Sequence, residues 1–165
     1  MQITTVAQVT INADVESVFD CSIDCHNLPK FFTGYKLIPA IVNASTLDNM
    51  PVCTGSRRIV SNSDGSVVEE LIVRLQRPEI QEYRLLNGLK PPFSWLVCSA
   101  CGQWLYETLD STPNSVTKIT WVFKFEMRNF PAYLLFLFTM NDAFQKAQEI
   151  CLENLKRYVE TTQRE

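Results

Sequence analysis

In residues 115–127, SVTKITWVFKFEM, a large apolar side chain stands at every second position from Ile119 onward. On a β-strand, successive side chains point to opposite faces, so Ile119, Trp121, Phe123, Phe125 and Met127 share one side. Lys118, Thr120, Lys124 and Glu126 take the other and face water. An aromatic face of that bulk needs a cover, and one segment is long enough to supply it. After Pro131 the periodicity turns helical, over about 132 to 161, and Tyr133, Phe136, Leu137, Met140, Phe144, Ala147, Cys151, Leu155 and Tyr158 recur at spacings of three and four. From about Asn141 the opposite side of this helix is polar, with Gln145, Lys146, Gln148, Glu149 and Glu153 expected outward.

The rest of the chain fits around that pair. Residues 3–11 read as a strand. Asn12 or Asp14 then caps a short helix carrying Val15, Val18 and Phe19. A second helical turn is expected near Asn27, with Pro29 in its first turn and Phe31-Phe32 at its end. Six further strands are expected at roughly 36–47, 55–62, 66–76, 80–87, 96–109 and 116–127. Between them stand the turn signals Asp64-Gly65, Asn87-Gly88 before Pro91-Pro92, and Thr112-Pro113-Asn114. Connections this short make the strands antiparallel neighbours. The expected architecture is α+β: one domain over residues 1–165, with a curved seven-stranded antiparallel sheet wrapped around a long C-terminal helix and two short helices after the first strand.

Charge and cysteine usage narrow the function. The net charge of −3 comes with no cluster of Lys and Arg, which argues against a nucleic-acid surface. The run FPAYLLFLFTM, residues 130–140, is uncharged but only about half of the roughly 20 residues that a bilayer crossing needs. The N-terminal residues lack a basic stretch followed by an apolar block, and six cysteines without such a signal suggest free thiols, so a cytoplasmic protein is expected. Cys98 and Cys101 form CxxC, but on a regular strand that spacing sends the two side chains apart. Cys21, Cys25 and His26 fall short of four converging zinc ligands. With one histidine and five scattered glycines, no metal, triad, phosphate loop or cofactor is expected.

The order of elements carries a resemblance, together with VTINADVESVFDCSIDCHNLPKFF near the start, TGSRRIV and DGSVVEE in the middle, SVTKITWVF late and the closing helix. Over essentially its whole length the chain resembles the helix-grip fold of the SRPBCC (START-like) superfamily, and within it the polyketide cyclase/dehydrase and lipid-transport-like branch. That resemblance implies a hydrophobic ligand held between helix and sheet, or a ring closure catalysed there. It supplies no universal catalytic set.

The residues themselves propose a cavity lining. The strands and the helix contribute Leu71, Tyr83, Trp104, Trp121, Phe123 and Phe125, then Tyr133, Phe136, Leu137, Met140 and Phe144, with Phe32 from the second short helix. By parity Glu69 points inward with Val67, Leu71 and Val73, where an unpaired carboxylate is costly. It therefore meets Arg57 or Arg58, faces a wet cavity, or exchanges places with Glu70 through a one-residue shift. Glu69 with an arginine such as Arg57 would orient a polar group of the ligand.

The leading expectation is a binder of a small hydrophobic molecule, for transport or sequestration, leaning away from catalysis. The alternative is a cyclase or dehydratase acting on an aromatic or polyketide-like substrate through Glu69 with Tyr83 or an arginine. Leu134, Leu135 and Phe138 lie off the core stripe. Either they pack against the loop around Pro91-Pro92-Phe93, or they form a pocket mouth, a homodimer contact or a surface that touches a membrane.

Overall fold

Seven strands pair antiparallel into one sheet in the order β1-β7-β6-β5-β4-β3-β2. The computed structural model describes residues 1–110 and 115–162. Strand β1 spans Gln2–Ile11, β2 Ile41–Thr46, β3 Arg57–Asn62, β4 Val67–Gln76, β5 Ile80–Asn87, β6 Val97–Asp110 and β7 Val116–Met127. From β2 to β7 each strand lies beside its successor, as short connections dictate, and β1 closes the sheet by pairing with β7. The expected turn at Thr112-Pro113-Asn114 lies outside the described residues.

Between β1 and β2 come helices α1 (Val15–Ile23) and α2 (Leu28–Phe31), separated by a single 3-10 turn. Asp14 caps α1 by accepting from the Ser17 N–H at 2.9 Å, and Pro29 sits in the first turn of α2, where its missing N–H costs nothing. Strand β2 begins at Ile41 rather than near residue 36, because Tyr35 and Ile38 instead close a tight turn by exchanging backbone hydrogen bonds of 2.9 Å. Gly34 enters that turn at φ +74°, and a Cβ there would collide with the backbone of residues 38–40. A third short helix, α3 (Phe93–Leu96), stands where the sequence suggested only a turn around Pro91-Pro92.

The closing segment is two helices, α4 (Phe130–Thr139) and α5 (Asn141–Thr162), not one. Asn129 caps α4 by accepting from the Ala132 N–H at 2.9 Å. At its other end the Thr139 hydroxyl donates back to the Leu135 carbonyl at 2.6 Å, a contact that competes with the backbone ladder, and the helix breaks at Met140. Helix α5 lays Ala143, Ala147, Cys151, Leu155 and Val159 into the sheet. Gln148, expected outward, is fully buried, because it stands four residues after Phe144 and three before Cys151, on the same side of α5 as both. Gln145 stays at the surface and closes the open edge of β1. Its side-chain oxygen accepts from the Val6 N–H at 3.1 Å and its nitrogen donates to the Val6 carbonyl.

Candidate functional site

The inner face of β7 is the one expected: Ile119, Trp121, Phe123, Phe125 and Met127 are all buried. Their rings form a continuous cluster. Trp121 lies 4.7 Å from Trp104 on β6, Phe123 lies 4.7 Å from Phe125, and Phe144 of α5 sits 4.8 Å from both phenylalanines. Between this cluster and the β3–β5 end of the sheet the rings do not meet the far wall, and a cavity of about 170 Å³ remains. Val60, Val68 and Leu85 line that far side, and the mouth is framed by Leu37 and Pro39 after α2 and by Leu89 through Phe93 before α3.

Of the expected lining residues, Phe32, Tyr83, Trp104, Trp121, Phe123, Phe125 and Phe144 face this cavity. Phe136 and Met140 are buried in the core without reaching it, and Tyr133 and Leu137 pack half-buried against that core. The face assigned to β4 is the reverse of the one expected. Val68, Glu70 and Ile72 point inward, while Val67 and Val73 are exposed and Leu71 is half-buried. Both faces of this strand carry apolar residues, so its own alternation could not say which one receives the core.

That reversal corrects the polar assignment. Glu69 is not in the cavity. It pairs with Arg57 at 2.6 Å and accepts from Asn87 at 2.8 Å, and the Arg57 side chain is about half exposed at 49%. The inward pair is Arg58 and Glu70, directly opposite each other across β3 and β4. Arg58 Nε donates to Glu70 Oε2 at 2.7 Å, and Nη2 lies 2.6 Å from the same oxygen. The guanidinium also sits over the Tyr83 ring, 5.4 Å from its centre. Burial opposes the charge on Arg58, but Glu70 outweighs it and the pKa of Arg58 moves up. Burial first, and the Glu70 charge second, push the Tyr83 phenol up, so it stays neutral.

Gly102 makes room for this arrangement. It stands opposite Tyr83 in the β5–β6 register, and a Cβ there would collide with the phenol ring. No bulge marks it; the β6 irregularities lie at Val97/Ser99 and Thr108/Asp110. Ser22 of α1 joins the floor, giving its proton to the Phe19 carbonyl at 2.8 Å and so accepting from the Tyr106 hydroxyl at 2.6 Å. Two donors on lining residues have no acceptor: Arg58 Nη1 and Trp121 Nε1. Unpaired buried donors are uncommon, and each costs on the order of 1–3 kcal/mol.

The thiols are all free. Burial pushes Cys21 up to about 11 and raises Cys25 and Cys151 as well, so none of these three is a thiolate at neutral pH. Among the described residues no cluster of His, Cys, Asp and Glu could hold a metal ion. Leu134, Leu135 and Phe138 are exposed rather than packed under the Pro91-Pro92-Phe93 loop. Phe93 packs instead on Phe136, with ring centres 6.0 Å apart.

The sequence reading named Arg58 and Glu70 only as alternatives, and it missed Ser22 and the mouth residues Leu37 and Lys90. For the ion pair a signal existed: a hairpin turn at Asp64-Gly65 places residues 58 and 70 opposite each other.

The profile of the family described as "Polyketide cyclase / dehydrase and lipid transport" matches residues 2–160. No curated protein matches the chain in sequence. Among solved structures, ginseng major latex-like protein 151 from Panax ginseng superposes with a TM-score of 0.69 at 15% identity, over 96% of this chain and 97% of that one. A protein of Nitrosospira multiformis gives 0.71 at 14% identity, over 99% of this chain and 100% of its own. Ara h 8.0201 gives 0.67 at 17%, over 96% and 98%. At such identities the likeness shows the helix-grip fold, shared end to end.

Proposed function

The chain belongs to the polyketide cyclase/dehydrase and lipid transport family, and from that premise we propose that it binds a small, largely apolar molecule in the cavity between the sheet and α5. The observation that carries this reading is the aromatic-lined void itself, open between the Leu37 and Leu89–Phe93 segments. Drug-sized ligands usually occupy roughly 300–1,000 Å³, whereas an apolar cavity of about 150 Å³ accepts benzene. A void of about 170 Å³ therefore suits a ligand of one ring, and a larger one requires the mouth to part.

The ligand carries one hydrogen-bond acceptor. On the lining, Arg58 Nη1 and Trp121 Nε1 are the donors without partners, and a ligand acceptor that reaches either would relieve its desolvation. That acceptor is neutral rather than a carboxylate. Arg58 is already compensated by Glu70, so a second carboxylate would leave a net negative charge in an apolar site. The ring-closing alternative would need a free acid or base, and it moves from Glu69 to Glu70. Since Glu70 is held by Arg58 through two short contacts, binding is the better supported use of the cavity.

Native mass spectrometry of freshly purified protein, repeated after denaturation, tests the proposal. A mass increment lost on denaturation is expected, or, from apo protein, a rise in melting temperature with acetophenone that exceeds the rise with ethylbenzene and with benzoate. A clean apo mass together with no shift from any of the three would overturn it. Trp121→Phe should erase the preference for acetophenone over ethylbenzene while leaving the hydrocarbon's effect in place.

A further inference from the structure

Helix α4 is apolar on both sides, and only one side is used. At about 100° per residue, Phe130, Leu134, Leu135 and Phe138 fall within an arc of about 140°. All four are exposed, Phe138 by 80%, while Ala132 and Phe136 on the far side are buried. Trp95 of α3, the short helix that packs on α4 through Phe93 and Phe136, is 68% exposed as well. Its neighbours fix it there: Leu96 O accepts from the Arg128 N–H at 3.0 Å, and Ser94 O accepts from Arg128 Nε at 3.3 Å.

We propose that this face is a docking surface for an anionic lipid bilayer. Charge supports that occupant. Residues 88–105 and 128–141, which carry the patch, contain Lys90 and Arg128 and no carboxylate, in a chain of net charge −3. The bordering carboxylates are Asp64, beside which Lys90 sits with its ammonium donating to the Asp64 carbonyl at 3.4 Å, Asp142, past the end of α4, and Glu126, which faces the N-terminal ammonium at 3.9 Å and accepts from Gln2 at 3.1 Å. Exposed Phe and Trp side chains beside a cation that pairs with no carboxylate, here Arg128, suit the headgroup boundary, where rings insert and a cation meets lipid phosphate. A second copy fits less well. Ten residues of helix are about 15 Å long, so this face offers roughly 150–200 Å² of footprint. Stable protein interfaces bury about 800 Å² per partner.

The position gives docking a use. Phe93, on the same short helix as Trp95, lines the cavity mouth and packs against Phe136 of α4. A bilayer seated on α3 and α4 therefore adjoins the opening. Docking itself does not depend on what the cavity holds.

Co-sedimentation of the full chain with two kinds of vesicle tests it, phosphatidylcholine alone and phosphatidylcholine with phosphatidylserine. The expected result is binding to the serine-containing vesicles that weakens as salt is raised. Phe138→Ser should reduce partitioning by about tenfold or more, with an unchanged melting temperature, and Trp95→Ser should act in the same direction. Failure to bind either vesicle overturns the proposal, as does binding that neither substitution affects. A concentration-dependent dimer that Phe138→Ser dissolves would assign the face to a second copy instead.

Discussion

Arg58 and Glu70 and their neighbours Arg57 and Glu69 are the same two residue types one position apart, yet their energetics differ by environment. In the outer pair Glu69 is 16% exposed but Arg57 is 49% exposed, and a contact whose cation stays in water contributes at most about 1 kcal/mol. The inner pair is buried, with side chains only 4% and 11% exposed, so removing one partner strands the other charge. Glu70→Gln should therefore lower unfolding free energy by about 3 kcal/mol or more, and Glu69→Gln by less than about 1, in urea titrations. Asp14 gives a second residue-level expectation. Hydrogen bonds from Ser17, side chain and backbone, hold its carboxyl below the ordinary value. A depressed folded-state pKa contributes stability that is present above the unfolded value and lost as pH falls through the folded one. Asp14→Ala should cost about 1 kcal/mol at neutral pH, and the difference from the parent should vanish in strong acid.

At the level of elements, the sheet is shaped by where side chains displace backbone. Tyr83 of β5 lies against Gly102 of β6, and that contact lets the ring tuck beneath Arg58. Gly102→Ala should push Tyr83 out of place, lower stability by about 1–3 kcal/mol and weaken any cavity ligand, as thermal melts with and without acetophenone would report. The two closing helices divide the work. Helix α5 covers the sheet and, through Gln145, its β1 edge, while α4 turns one apolar face outward. The break between them falls at Met140, next to Thr139, whose hydroxyl donates back into its own helix.

For the whole molecule, the grip of sheet on helix leaves the thiols in distinct environments. Cys53 and Cys98 are exposed, whereas Cys25 and Cys151 are buried with raised pKa values. Intact-mass analysis after brief alkylation should show labels on Cys53 and Cys98 in native protein, and on Cys25 and Cys151 only after unfolding. Among the described residues no helix is long and apolar enough to cross a membrane.

The strand order, the two short helices after β1, the β7 face, a cap at Asn12 or Asp14 and the aromatic wall were legible in the residues, because period-two alternation, turn dipeptides and caps are local signals that survive without neighbours. Three things were not. The inward side of β4 depends on which face the helix covers, and that strand is apolar on both, so Glu69 and Glu70 could not be told apart from their own segment. Gln148 reads as a surface residue by its polarity, yet it shares the face of α5 that carries Phe144 and Cys151, and the width of the face that the core covers is set by the packing. The volume left between Phe123, Phe144 and the β3–β5 wall is a difference between packed shapes: ten Phe, three Trp and five Tyr fill a core or line a void with the same composition. Sequence determined what kinds of surface this chain has; only tertiary packing decided which of them face each other.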